Sequence, residues 1–267
     1  MSETGKLSAA DQERLRAEYA DQGYVVLPGV VPKDRLEGLR RDLAAEFERV
    51  KSSGQLMNGG GTFSGHLNCF PGAGARFAYE ALSDAGVLDL VRALHPDAQR
   101  QPNVGCNFNL PGSVVQHYHP DREFTRAFVI VNIAVVDTEI KNGAIDVLPG
   151  TQKKFYKFWR FTLENAPRLT RRLPMKQGDV LVRTSNLWHR GMPNLTDTAR
   201  PMLAFTWEDG GSTLADPFAQ EQGRIVFRQN WFRPTMLGRL RERTFVVAPI
   251  TYSAWRFARS LIGNKGY

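Results

Sequence analysis

Apolar residues recur at helical spacing through roughly the first ninety positions, and beyond Pro102 the period shortens to that of strands. Ser8 is placed to cap a helix predicted over 8–21, which Gly23 ends. Residues 24–30 read as a short buried strand closed by Pro28 and Gly29. A second helix follows Pro32, with Leu36, Leu39, Leu43 and Phe47 on one face and Gly54 as its stop. Residues 54–76 hold seven glycines and read as a long functional loop, and a further helix is predicted over 83–94. β-like runs then cover 104–110, 114–119, 126–136, 144–148, 179–183, 200–207 and 223–228. Turn signals such as Pro111-Gly112, Asn142-Gly143, Pro149-Gly150 and Gln177-Gly178 separate them, and strands at this spacing imply a barrel or a sandwich. The tail from Pro234 reads as partly helical, mixing Tyr252, Trp255, Phe257 and Leu261 with arginines.

The 267 residues suit one domain, 1–267, with a helical N-terminal part (8–95), a β core (about 100–230) and a basic C-terminal tail (231–267). The longest apolar run, Phe128 to Val136, is broken by Asn132 and is too short to span a bilayer. The first thirty residues show no secretory pattern. Cys69 and Cys106 stand outside any CxxC spacing, so no disulfide framework is expected and a cytoplasmic location is the default. Charge changes the picture more. Residues 221–267 carry nine Lys/Arg against Glu221 and Glu242, which places +7 of the net +8 in the last 47 residues. The plainer reading is a solvated basic face. The sharper one is attraction to a phosphorylated substrate or to a membrane surface touched peripherally. Nucleic acid is not an expected partner, because no recognition motif or aromatic stacking series accompanies the charge.

Candidate chemistry lies in the β-rich half. In a strand, residues i and i+2 share a face, so His119 and Asp121 can present an imidazole nitrogen and a carboxylate oxygen side by side. Two histidines and one carboxylate leave open positions on an iron, the arrangement of oxygen-activating non-haem sites. The second histidine must come from elsewhere in the chain. His189, after the turn and strand of 178–184, is the favoured source; His66 lies in the glycine-rich region, and His95 before Pro96 sits poorly at a helix end. His117 competes, since His117 and His119 are also an i, i+2 pair and could hold zinc in a hydrolase. Spacing alone leaves these alternatives open.

The order of His119-Pro120-Asp121, then Asn142-Gly143 through Pro149-Gly150-Thr151, then His189 with Arg200 eleven residues later resembles the phytanoyl-CoA dioxygenase (PhyH) family. Gly23 to Gly29 before a helix is similar to the start of those proteins, and the likeness covers roughly 20–208. It implies a β-rich α+β fold, a double-stranded β-helix (jelly-roll or cupin-like barrel) with flanking helices. It also implies a 2-oxoglutarate-dependent dioxygenase using Fe(II), 2-oxoglutarate and O2, with His119, Asp121 and His189 as metal ligands. Arg200 would pair with the distal carboxylate of 2-oxoglutarate. Asn132 would either face the cosubstrate or make a structural hydrogen bond, the two standing level. The sequence departs from the family at Gln152, where a histidine is common, and at Gly191, where a small hydroxyl residue often lies. Asp121 argues against the halogenating branch, which needs a small residue there.

The implied reaction is hydroxylation of an unactivated C–H bond, with release of succinate and CO2. Its substrate is read as a small anionic or glycan- or lipid-linked metabolite, from the basic tail and the mixed aromatic and basic insertion Lys153 to Phe161. Residues 65–72 stand as a candidate substrate lid. The alternatives are a cupin-like metal hydrolase or isomerase and a non-catalytic β-barrel binding protein.

Overall fold

The computed structural model describes residues 6–56, 60–164 and 170–262. Ser8 caps helix α1 (Ala9–Gln22) in a reciprocal box with Asp11, and Gly23 ends it in the left-handed conformation. Strand β1 (Tyr24–Leu27) follows. Helix α2 (Lys33–Ser52) then buries Leu36, Leu39 and Leu43, as its spacing predicts. Next come β2 (His66–Pro71), α3 (Arg76–Asp84), α4 (Val87–Leu94), β3 (Asn103–Asn109) and β4 (Val129–Ala134). The central part continues with β5 (Asp146–Val147), α5 (Phe158–Glu164), β6 (Arg171–Arg172), β7 (Val180–Thr184) and β8 (His189–Arg190). Strands β9 (Arg200–Thr206) and β10 (Ile225–Arg228) precede the C-terminal helices α6 (Met236–Val247) and α7 (Pro249–Ile262).

Seven strands form one sheet in the order β1-β7-β4-β9-β3-β2-β10, and three form a smaller one, β6-β5-β8, with every pairing antiparallel. The architecture is an open jelly roll flanked by helices, the double-stranded β-helix class expected from the sequence. The alternation of side chains divides the large sheet into two faces. Val129, Val131, Ile133, Val180, Val182, Leu203 and Phe205 join the main core with helices α1 to α4. The other face carries Asn109, Asn132, Arg183 and Arg200, so polar groups line the space between the sheets. Cys69 and Cys106 are opposed across β2 and β3 as buried free thiols on the apolar face.

Three expectations change. Residues 66–71 are not a lid but strand β2, held between β3 and β10; the glycines flanking them concealed the apolar pattern of Leu67, Cys69 and Phe70. The helix expected over 83–94 is two helices, because Gly86 adopts φ 75° between α3 and α4. Residues 114–119 form no full strand. They run alongside 185–191 through scattered bonds, among them Gln116 N–H to Gly191 O at 2.9 Å and the mutual pair of His119 and His189.

Candidate metal centre

The paired backbones of 116–121 and 185–191 bring the predicted ligands together. His119 N–H donates to His189 O at 3.0 Å, and His189 N–H returns a bond to His119 O at 3.1 Å. Asp121 N–H bonds Ser185 O at 2.9 Å. His119, Asp121 and His189 thereby offer three ligand atoms within 4.8 Å of one another. The imidazole rings stand 4.6 Å apart between centroids, and Asp121 Oδ1 lies 3.7 Å from His189 Nε2.

Backbone carbonyls fix the tautomers. His119 Nδ1 is 2.7 Å from His117 O and His189 Nδ1 is 2.9 Å from Leu187 O. A carbonyl only accepts, so each Nδ1 carries the proton and each Nε2 keeps its lone pair for a metal. Burial holds both imidazoles neutral, pulling His189 down to about 3 and His119 in the same direction. Burial pushes the Asp121 carboxyl up, but the Arg183 guanidinium and the neighbouring imidazoles outweigh it, and the net position is about 2. The set is therefore two neutral imidazoles and one carboxylate at neutral pH, the protonation state a divalent metal needs.

Arg183, which the sequence reading passed over, is the main electrostatic partner. It lies 4% exposed on β7, donates from Nη1 to Asp121 Oδ2 at 2.5 Å, and from Nε to Asn132 Oδ1 at 3.0 Å. Asp121 thus turns Oδ2 to arginine and leaves Oδ1 beside His189 Nε2. Asn132 makes the structural hydrogen bond that was one of its two readings, and its amide N–H also lies 3.4 Å from Leu203 O. A charge directly after the apolar run Val180 to Val182, before the strand has ended, was the available signal for Arg183.

Arg200 begins β9 opposite Asn109 and is buried. Its Nη2 donates to Gly143 O at 3.0 Å, its Nε has no partner, and it pairs with no carboxylate among the described residues. Burial lowers it to about 10. A buried, unneutralised guanidinium with a free donor fits the distal carboxylate of a dicarboxylate cosubstrate. At Gly191 the space a side chain would take is filled by Gln116, whose amide atoms lie 2.8 Å from an ideal Cβ, and Gln116 Oε1 accepts the Gly191 N–H at 2.8 Å.

The remaining histidines lie elsewhere. His117 stacks on Tyr252 at 4.9 Å and 8° and touches Phe245, so it seats the C-terminal helices rather than a metal. His66 donates from Nε2 to Val114 O at 2.7 Å, and His95 Nε2 lies 2.9 Å from the Tyr19 hydroxyl. The insertion at 153–161 also changes meaning. Phe158 and Phe161 are buried against Tyr118 and Trp188, while Lys153 and Lys154 pair with Asp21 and Glu164.

An open jelly roll holding a facial His, Asp, His set defines a metal-dependent oxygenase-type centre. The chain belongs to the phytanoyl-CoA dioxygenase (PhyH) family, whose model matches residues 19–202. The cofactors of that family are Fe(II), 2-oxoglutarate and O2, and the donor set and Arg200 fit them. The curated Dioxygenase af480 of Aspergillus fumigatus is 24% identical over 213 residues, 74% of this chain; the match spans 66% of that protein's length. Among solved structures, the non-haem α-ketoglutarate-dependent epimerase SnoN from nogalamycin biosynthesis matches with TM-score 0.57 and 19% identity, over 74% of this chain and 81% of that one. HygX from Streptomyces hygroscopicus, with nickel, 2-oxoglutarate and hygromycin B bound, matches with TM-score 0.54 and 17% identity, over 72% and 85% respectively. No helix among the described residues is long and apolar enough to cross a membrane.

Proposed function

We propose that the protein couples oxidative decarboxylation of 2-oxoglutarate to hydroxylation of an unactivated C–H bond in a small anionic or glycan- or lipid-linked metabolite. The observation that carries the cosubstrate is Arg200, a buried guanidinium on the polar face between the sheets with a free Nε and no counter-ion among the described residues. His119 and His189 would hold Fe(II) through Nε2, and Asp121 through Oδ1, with Oδ2 kept by Arg183. Bound Fe(II) and 2-oxoglutarate supply the activation of O2. The protein's share is to fix the facial set, seat the cosubstrate carboxylate on Arg200 and narrow the way to bulk water with Trp231, Phe245 and Tyr252. An added hydroxyl would appear as a product heavier by one oxygen atom.

The test is spectroscopic. Anaerobic Fe(II) plus 2-oxoglutarate should give a weak visible charge-transfer band that disappears in Asp121→Ala and His189→Ala. In Arg200→Gln, half-formation of the band should need about 100-fold more 2-oxoglutarate, the loss of a charge-assisted bidentate contact. No band in the wild type, or its survival in the ligand variants, would overturn the reading. Tight zinc without an iron band would favour the hydrolase alternative.

A further inference from the structure

The family match ends at residue 202, and the wall of the cleft facing the metal ligands is built beyond it. This cleft of about 790 Å3 places His119 and Asp121 on one side and Arg241, Trp255, Arg256 and Arg259 of α6 and α7 on the other, with Trp231 between. The charge there is one-sided. Among the described residues Asp121 is the sole acid lining the cleft, and its Oδ2 is already taken by Arg183. Glu242, the sole acid of α6 and α7, is buried away from it, accepting from Ser64 N–H and Oγ–H.

Arg256 donates from Nη1 to Tyr118 O at 3.3 Å and lies over the Phe158 ring at 4.0 Å. Burial pulls it down to about 10. Arg241 and Arg259 sit 5.4 and 5.3 Å from the centroid of the same Trp255 ring. None of the three pairs with a carboxylate among the described residues. Packing over aromatics holds the stems, but with Arg256 half-buried and Arg241 and Arg259 exposed it does not neutralise the three charges gathered at the cleft. An anion does. A carboxylate carries one charge and two acceptors; a phosphate ester carries up to two charges and three acceptor oxygens, which better matches three guanidinium forks.

We propose that Arg241, Arg256 and Arg259 bind a phosphate group of the substrate, a phosphomonoester or diphosphate. The ring-bearing or apolar remainder then lies along Trp255 and Trp231 toward the metal ligands. The inference rests on the oxygenase reading in one respect, that the molecule held there is the one oxidised. Phosphate binding itself needs no metal.

Phenyl phosphate, titrated into the full-length protein and followed by tryptophan fluorescence, tests it. Binding should saturate in the wild type and weaken roughly tenfold or more in Arg256→Gln and in the double variant Arg241→Gln/Arg259→Gln. Arg200→Gln should bind as the wild type does, while benzoate should bind roughly tenfold more weakly than phenyl phosphate and phenol not at all. Glucose 1-phosphate and a short-chain phosphatidate, compared below the micelle concentration, distinguish a soluble phosphate ester from a lipid headgroup; tighter binding of either supports the subsite. Equal affinity in Arg256→Gln and wild type, equal affinity for benzoate, or no binding of any phosphate overturns it. The iron and 2-oxoglutarate band, measured in Arg256→Gln and in Arg241→Gln/Arg259→Gln, shows that the fold and metal centre persist. A wild type lacking that band but binding phosphate through Arg256 would refute the oxygenase reading and leave the subsite standing.

Discussion

Arg183 decides which oxygen Asp121 can offer. With Oδ2 bound at 2.5 Å and the guanidinium braced by Asn132, the carboxylate is held with Oδ1 beside His189. Replacing Arg183 with Met should weaken Fe(II) or Zn(II) binding roughly 10–100-fold in chelator competition, the usual effect of losing a ligand's orienting partner. Arg183→Lys should recover only part, since one ammonium cannot copy the fork that reaches both Asp121 and Asn132. Unchanged affinity in Arg183→Met would mean that Asp121 needs no brace. The ligands were legible in the sequence because an HxD, a distal histidine and an arginine occur in a recognisable order. Arg183 was not, because a strand residue's partner depends on which distant segment crosses above it. A second residue-scale consequence concerns His66, which burial pulls from 6.5 to about 4. The unfolded chain binds the proton more readily, so this contribution to stability is fully present above pH 6.5 and is lost as pH falls toward 4. The loss is about 3 kcal/mol. Urea midpoints of His66→Gln should therefore fall less steeply than those of the wild type between those pH values.

Among the elements, α6 is tied to the jelly roll by one polar contact that its sequence does not advertise. Glu242 is fully buried and takes both the backbone N–H and the hydroxyl of Ser64, at 2.9 and 2.8 Å. Glu242→Ala would strand the Ser64 N–H and leave its hydroxyl only the longer contact to Gly61 O at 3.4 Å, at a cost of about 2 kcal/mol. Because the cost falls on the helix that walls the cleft, trypsin should cut at Arg239, Arg241 or Arg243 faster than in the wild type. The iron band should persist. Equal cutting rates would show that α6 is held by its aromatic contacts alone. The same elements show why local pattern gave part of the fold. Helices α1 and α2 announce themselves by a cap and by Leu36, Leu39 and Leu43, and β4 and β7 by apolar runs covered on both faces. Strand β2 hid among glycines, and β5, β6 and β8 are two residues each, too short to leave a period. Those strands exist through pairing, which is a property of the whole sheet.

For the molecule as a whole, the C-terminal helices present opposite characters on opposite sides. Toward the cleft they offer arginines, Tyr252 and Trp255; outward, α7 shows Ile250, Ala254, Ala258 and Leu261, spaced as one helical stripe. On α6, Met236, Leu237, Leu240 and Val247 are likewise exposed. With Glu242 buried, every charge these helices show to solvent is an arginine, and the two helices carry +4 of the chain's net +8. Apolar side chains at an exposed helical stripe, flanked by cations whose stems can follow them, match the interface of an anionic bilayer. The protein should therefore co-sediment with vesicles containing phosphatidylserine and not with phosphatidylcholine alone, and high salt should release it. The paired change Leu240→Glu/Ile250→Glu should abolish sedimentation while leaving phenyl phosphate binding intact, because both residues face away from the cleft lining. A salt-independent dimer in analytical ultracentrifugation, lost in the same double variant, would assign the stripes to a second copy of the chain instead.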